Sequence, residues 1–193
     1  MMLHLALVKN NLSESRQEAQ ELIKAGAVMV DGVVVTKQTR EVSELSNFLV
    51  TRRRAFVSRG GEKLEGAFLH ILDTEEAIKT FCNNKNALDI GSSTGGFTDC
   101  LLKYGVRLVT AVDVGTSQLH PKLRVNPLVS ILENTDIRDY TSPTPFEIVV
   151  LDLSFISLEK ILDKVISFGT TNSTYYILLK PQFEVGKGNT KKG

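Results

Sequence analysis

Cysteine and histidine are scarce in this 193-residue chain, with two of the first and three of the second. Cys82 and Cys100 are too few and too unpatterned for a disulfide framework or a zinc cluster, so a reducing cytoplasm is the compartment that fits. His4, His70 and His120 have no ligand-like spacing, and no metal is expected. Nowhere do about 18 apolar residues run together, which excludes an ordinary membrane-spanning helix. The amino terminus, Met1-Met2-Leu3-His4-Leu5, lacks the basic start and sustained apolar run of a secretory signal. No internal repeat or low-complexity segment interrupts the chain. What remains is the composition of a soluble globular protein, long enough for one or two domains.

Net charge is also nearly missing, at a formal +1, but the balance is uneven. Between Lys37 and Lys63 seven basic residues (Lys37, Arg40, Arg52, Arg53, Arg54, Arg59 and Lys63) face three acids, Glu41, Glu44 and Glu62. Two readings stand: a solvated linker between domains, or a strip that contacts phosphates, as Lys/Arg clusters do in sequence-independent nucleic-acid binding.

The dinucleotide fingerprint GxGxxG is absent too, although its structural setting is present. Asn86-Ala-Leu-Asp-Ile-Gly-Ser-Ser-Thr-Gly-Gly-Phe-Thr-Asp99 runs from a short apolar strand into a glycine-rich turn and then a helical pattern. An open α/β sheet presents a nucleotide-like cofactor in this way, at the carboxyl end of its first strand. With Gly91, Gly95 and Gly96 spaced GxxxGG, the turn lets a ligand approach the backbone without calling for a pyrophosphate. S-adenosylmethionine (SAM), with an amine and a carboxylate but no phosphate, fits that demand. A purely structural turn is the competing reading.

Ahead of this stretch, Ser13 to Gly26 reads as one helix. Ser13 or Ser15 caps it, Glu18 completes a capping box, Ala19, Leu22 and Ile23 form its buried stripe, and Gly26 ends it in a left-handed conformation. Val28–Val30 and Val33–Val35 then form strands around an Asp31-Gly32 turn. Gly60-Gly61 breaks the pattern, and a helical period starts at Glu62 with Leu64, Ala67, Phe68, Ile71 and Leu72. Thr80–Asn86 is polar and turn-like. The domain boundary falls near Val57, giving domains of 1–57 and 58–193.

After Ala87–Ile90, four more apolar runs recur at strand–helix intervals: Leu108–Val112, Leu128–Leu132, Ile148–Leu151 and Tyr175–Leu179. A helical stripe of Leu158, Ile161, Leu162, Val165 and Ile166 separates the last two. Five parallel strands make the class α/β, a doubly wound, Rossmann-like sheet. Acids recur at the strand ends, Asp89, Asp113 and Asp152, and Lys180 follows the fifth strand; in such a sheet these positions line one crevice. Asp113, about 20 residues past the turn, is placed to accept ribose hydroxyls, Asp136 to accept from an adenine amine, and Asp89 to meet the cofactor's ammonium directly or through water. Each has a loop or cap role as its alternative. Lys63, Asp152 and Lys180 would be costly to desolvate unless they neutralise one another. A lysine whose pKa is lowered by a neighbouring cation removes a proton near neutral pH; otherwise the two lysines are surface phosphate contacts.

Two resemblances add to this reading. Leu12 to Gly32 resembles the S-four-type RNA-binding domain, although Leu3-His4-Leu5 stands where that family opens with a basic residue and Leu-Asp. The resemblance implies that Arg16, Gln20 and Lys24 lie on an RNA-facing helix surface; ordinary solvated surface is the other reading for them. Ser58-Arg-Gly-Gly-Glu-Lys-Leu, Leu88 to Asp99, Ala111-Val-Asp-Val-Gly, Leu151-Asp-Leu-Ser-Phe-Ile-Ser-Leu and Leu179-Lys-Pro-Gln-Phe-Glu occur in order and together are similar to the TlyA/haemolysin A family. That family joins an S-four-type domain to an FtsJ-like methyltransferase domain. The resemblance implies SAM-dependent methylation of cytidine ribose 2′-hydroxyls in ribosomal RNA. The cofactor set it implies is Asp89, Gly91, Ser92, Ser93, Thr94, Gly95, Gly96, Phe97, Asp113, Val114, Asp136 and Asp152. It implies a catalytic Lys-Asp-Lys-Glu tetrad, whose first three members match Lys63, Asp152 and Lys180, and an RNA surface that includes Arg52, Arg53, Arg54 and Arg59.

The tetrad's glutamate has no match, since Glu184 belongs to the Lys-Pro-Gln-Phe-Glu block itself. The expectation is therefore a chain shortened at its carboxyl end, or one whose exposed strand Tyr175–Leu179 pairs with another chain. Arg54-Ala-Phe-Val57 matches the family's linker, where RNA docking is expected to couple to cofactor binding; Phe56 is equally a packing residue at the joint. Ser154 and Phe155 are candidates to shape a pocket around a flipped nucleotide. Three other functions compete: RNA binding without catalysis, membrane lysis as the haemolysin name suggests, and small-molecule methylation. The lack of a signal, a span or a basic amphipathic helix argues against lysis, and an RNA-binding domain argues against a small substrate.

Overall fold

The structure, a computed structural model, describes residues 1–51 and 55–184. They divide into two units, Met1–Arg54 and Ala55–Gly193. Arg52, Arg53 and Arg54, expected on the RNA surface, lie outside the described residues, as do residues 185–193.

The first unit sets α1 (Leu3–Lys9) and α2 (Arg16–Lys24) against a three-stranded antiparallel sheet. Ser15 caps α2, its hydroxyl oxygen accepting the Glu18 N–H at 3.1 Å, a contact that contributes about 1 kcal/mol. Glu18 reaches back to the N–H of Glu14 at 2.7 Å, one residue before the cap. At the other end Gly26 takes φ +70°, and the Ala27 N–H closes onto the Leu22 carbonyl at 2.9 Å. Ala19, Leu22 and Ile23 are buried as the periodicity predicts, packing with Leu3, Leu7, Val28 and Val30. β1 (Val28–Val30) and β2 (Val33–Val34) pair across Asp31-Gly32, whose positive φ values make a tight turn. A third strand, β3 (Phe48–Val50), pairs with the other side of β1; three residues among polar neighbours leave no periodic signal to find. Arg16 and Lys24 are exposed and Gln20 is half-buried. Their i, i+4, i+8 spacing puts them on one face of α2.

The second unit is a parallel sheet ordered β6-β5-β4-β7-β8, formed by β4 (Asn86–Ile90), β5 (Leu108–Val112), β6 (Val129–Leu132), β7 (Ile148–Leu151) and β8 (Thr174–Ile177). The chain steps from β4 outward in one direction and returns to β7 on β4's other side, so the switch point lies beside β4. Both faces are covered, and successive side chains feed opposite cores. Ala87, Val109, Ile148 and Val150 join Leu64, Phe68, Ile78, Leu101 and Tyr104 from α3 (Arg59–Leu72), α4 (Glu75–Cys82) and α5 (Gly96–Lys103). Leu88, Ile90, Val149 and Leu151 join Ile161, Val165 and Phe168 on the other side.

Five expectations change. α3 begins at Arg59, so Gly60 and Gly61 lie inside its first turn and do not break the pattern. The reason is space: a Cβ on Gly61 would fall 2.3 Å from Phe56 Cγ, and one on Gly96 would fall 2.8 Å from the Gly61 nitrogen. Phe56 is accordingly buried packing. Within α3, Ile71 is exposed although Leu64 and Phe68 on the same stripe are buried. α4 extends through Cys82 because Ile78 and Cys82 both reach the core, while the Thr80 hydroxyl turns back to the Glu76 carbonyl at 2.9 Å. The stripe from Leu158 splits into a 3-10 turn (Leu158–Lys160) and α6 (Leu162–Ile166), which leaves Leu162 and Ile166 exposed. β8 ends at Ile177, before Leu179, and its side chains are half-buried. Tyr176 packs on Phe68 at 4.8 Å between ring centres, and the Tyr175 hydroxyl donates to the Ile166 carbonyl.

Candidate active site

Asp89 is the penultimate residue of β4 and is 1% exposed. Oδ2 accepts the Thr98 hydroxyl of α5 at 2.6 Å, whereas buried Oδ1 has no hydrogen-bond partner among the described residues. Burial pushes this carboxyl up to about 7 against the pull of the Thr98 hydrogen bonds, and the nearby Asp152 and Asp113 carboxylates add to the rise. Such an oxygen beside a glycine turn is suited to a cationic ligand. The turn is held by backbone bonds: the Gly91 N–H donates to the Val112 carbonyl at 2.8 Å and the Gly95 N–H to the Ser92 carbonyl at 2.7 Å. Gly91 has φ +80°, and a Cβ there would fall 2.9 Å from the Asp152 carbonyl oxygen. Glycine is therefore required at this position by both conformation and space.

Asp113 closes β5 and accepts two N–H groups, from Ser93 to Oδ2 at 2.8 Å and from Gly115 to Oδ1 at 2.7 Å. It thus fixes the rim of the glycine turn while keeping lone pairs for a ribose. Val114, beside it, is exposed. Ser93 and Thr94 are exposed at the mouth of the turn, and Ser92 is buried beneath it. The side chain of Phe97, in the first turn of α5, is buried in the core cluster with Phe56 and Leu101. Asp136 is also otherwise engaged. Arg138 grips both carboxylate oxygens, Nε at 3.0 Å from Oδ1 and an Nη at 2.6 Å from Oδ2. The guanidinium holds that carboxyl down at about 2, so only its remaining lone pairs are open to an adenine amine.

On the other side of the switch point, Lys180 Nζ lies 2.6 Å from Asp152 Oδ1 and donates to the Ser154 hydroxyl at 2.9 Å. The contact with Asp152 is an ion pair without hydrogen-bond alignment, since Oδ1 has no aligned donor among the described residues. The structure thus unites two of the three expected catalytic residues. Lys63 stands exposed as the fifth residue of α3 and makes no ion pair among the described residues. The first turn of that helix packs on the start of α5 through Gly60, Gly61 and Gly96. Arg59 opens the same helix and is exposed. Phe155 follows Ser154 with φ +67° and 90% exposure.

Two residues with a part in this geometry close the Leu88–Asp99 block, but the sequence reading gives neither a role. Thr98 satisfies half of Asp89, and only its placement in the first turn of the following helix hints at this. Asp99, buried, accepts the Val57 N–H at 2.9 Å and pairs with Lys122 at 3.1 Å, tying the segment after residue 54 to α5.

Residues 56–193 match the FtsJ-like methyltransferase family, and residues 3–44 match the S4 domain. The chain belongs to the FtsJ-like methyltransferase family. Its fold is the Rossmann-like α/β sheet of that family, preceded by an S4 domain. A Mycobacterium tuberculosis protein named 16S/23S rRNA (cytidine-2′-O)-methyltransferase TlyA is 42% identical over 192 residues, covering 97% of this chain and 69% of its own length. Hemolysin A of Brachyspira hyodysenteriae is 41% identical over 186 residues, covering 94% of this chain and 74% of its own. A solved Streptococcus thermophilus structure carrying the hemolysin designation is 32% identical, with a TM-score of 0.66 over 97% of this chain and 68% of that one.

Proposed function

We propose that this FtsJ-like methyltransferase methylates the 2′-hydroxyl of cytidine in ribosomal RNA, with SAM as donor. One observation carries the reading: a lysine amine, Lys180, is held by Asp152 and Ser154 at the same carboxyl end of the sheet as a buried carboxylate oxygen of Asp89 that lacks a partner among the described residues. The first arrangement handles a proton, and the second receives a cationic cofactor. The printed name of the Mycobacterium tuberculosis relative supports the choice of acceptor.

When bound, SAM supplies an electrophilic methyl group. Asp89 holds its ammonium and Asp113 its ribose hydroxyls, with Gly91, Ser92, Ser93, Thr94, Gly95 and Gly96 giving the close backbone approach and Val114 an apolar wall. Asp136, oriented by Arg138, meets the adenine amine with a remaining lone pair. Lys180, once its ammonium has released a proton to solvent, takes the proton of the acceptor 2′-hydroxyl at Nζ, Asp152 and Ser154 orient it, and Lys63 adds positive charge to the crevice that favours the neutral amine. Ser154 and Phe155 shape the pocket for an unstacked nucleotide. Arg16, Gln20 and Lys24 of α2, together with Arg52, Arg53, Arg54 and Arg59, contact the RNA backbone. The partner is a ribosomal subunit and the compartment the cytoplasm. Self-pairing along the outer edge of β8 belongs to the same proposal, and a monomeric solution mass would remove it.

No described helix is long and apolar enough to cross a membrane. The deciding experiment maps 2′-O-methylation on ribosomal RNA and assembled subunits incubated with the chain and SAM. Methyl groups on cytidine riboses are expected. SAM binding with no transfer to any ribosomal substrate would replace this reading with RNA binding alone.

A further inference from the structure

Glu184 ends the Lys-Pro-Gln-Phe-Glu block and has no part in the proton transfer proposed above. It is nevertheless tied down. From α7 (Pro181–Glu184), its Oε2 accepts the Ser157 hydroxyl at 2.8 Å, and both carboxylate oxygens lie within 3.2 Å of the Leu158 N–H. These groups open the 3-10 turn after β7, where a free N–H needs an acceptor. The carboxylate therefore caps that turn from a different loop.

This contact is the outermost of three between the same two loops, one following β7 and one following β8. At the root, Lys180 meets Asp152 and Ser154. Next outward, the rings of Phe183 and Phe155 stand 5.2 Å apart, tilted by 49°. Last comes Glu184 with Ser157 and Leu158. The pairing follows the sequence on both sides, so the loops close like a zipper whose innermost pair is the expected base and its orienting acid.

We infer that Glu184 is a positioning residue for the acceptor side: by capping the turn after β7 it keeps the two loops zipped and holds Lys180 in line with the acceptor hydroxyl. Phe155 has a positive φ and little other contact, so it depends on this closure to stay in place. The inference rests on the proposed methyl transfer for its meaning and on the zipper for its geometry, and the two are tested separately.

The experiment uses the full chain and compares wild type with Glu184→Ala, Glu184→Gln and Ser157→Ala. Hydrogen exchange followed by mass spectrometry reads the zipper without reference to activity. In Glu184→Ala the peptide covering residues 154–160 is expected to exchange at least about tenfold faster, while peptides over β4 and α5 keep wild-type protection. Methyl transfer to ribosomal subunits reads the consequence: kcat falls by about 10- to 100-fold with the Kd for SAM unchanged, as displaced reacting groups require. Glu184→Gln keeps an acceptor for the Leu158 N–H and recovers part of the loss. The double variant Glu184→Ala/Ser157→Ala is no slower than Glu184→Ala alone. Unchanged exchange over 154–160, or a kcat equal to wild type, overturns the inference. So does a parallel loss of SAM affinity, which would mark a general loss of structure. A wild-type chain that transfers no methyl group while the exchange result holds sinks the functional reading and leaves the zipper standing.

Discussion

The two sides of the crevice are built from different materials. On the donor side, at the ends of β4 and β5, main-chain groups predominate: Gly91, Ser92 and Gly95 donate to carbonyls, and Asp113 ties Ser93 and Gly115 to itself. The key side chain there, Asp89, is almost wholly buried. On the acceptor side, at the ends of β7 and β8, long side chains meet across two loops, and Lys180 and Asp152 keep about a fifth of their side-chain surface in solvent. A backbone-built site is fixed when the sheet folds, whereas a side-chain-built one is held by contacts that single substitutions remove. The difference predicts that cofactor affinity and turnover separate under mutation.

The largest expected effect is on the acceptor side. Lys180→Ala should lower kcat by about 10³-fold, within the range for loss of a general base, with the Kd for SAM by calorimetry unchanged. Equal methyl incorporation by variant and wild type would end the base assignment. On the donor side, Asp89→Asn keeps the Thr98 contact but cannot pair with an ammonium, and the Kd should rise by about 100-fold. The same variant should melt higher than wild type at pH 8. Folding raises this carboxyl from 3.8 to about 7, so its contribution to stability is intact below about pH 4 and is lost as the pH climbs to about 7 and above. Asparagine has no such loss. A variant that melts lower at pH 8 would show that Asp89 is satisfied in the free protein.

A smaller effect follows without mutation. A cationic ligand prefers the ionised carboxylate, so SAM affinity should improve about tenfold between pH 6 and pH 8, with proton release at neutral pH. Flat affinity over that interval would remove Asp89 from the cofactor site. Smallest is the change on α2. Arg16→Ala and Lys24→Ala should each weaken binding to ribosomal RNA by a few-fold and reduce its salt dependence by about one counterion. Cofactor affinity stays fixed, and an unaltered salt slope would make these residues plain solvated surface.

How far the sequence revealed this site depended on what each part is made of. The strands were legible because short apolar runs bounded by acids carry their own signal, and β5 and β7 fall where the runs are. The capped helix α2 was legible for the same local reason, with its stripe, cap and terminal glycine all in one segment. Gly60-Gly61 misled because a glycine pair reads as a break when its neighbours are unseen. Here it makes room for Phe56 and for Gly96, both distant in sequence. Arg138 on Asp136 and Glu184 on Ser157 were invisible in the same way, since a side chain's choice of partner is a property of the fold. Phe97 sits inside a cofactor motif yet packs beneath it, because the first turn of a helix has an inner face as well as an outer one.

Gly91 limits how independently the two sides can vary. Its missing side chain lets the turn after β4 rest on the carbonyl of Asp152, at the end of the neighbouring strand β7. A library that reshapes the acceptor loops for another nucleotide must keep the contacts of Ser154, Ser157 and Glu184 and can vary the residues between them. Any residue larger than hydrogen at position 91 pushes Asp152, and Lys180 with it, out of place while also opening the cofactor turn. Adapting the fold to a new acceptor is therefore a search over many positions around one that cannot change.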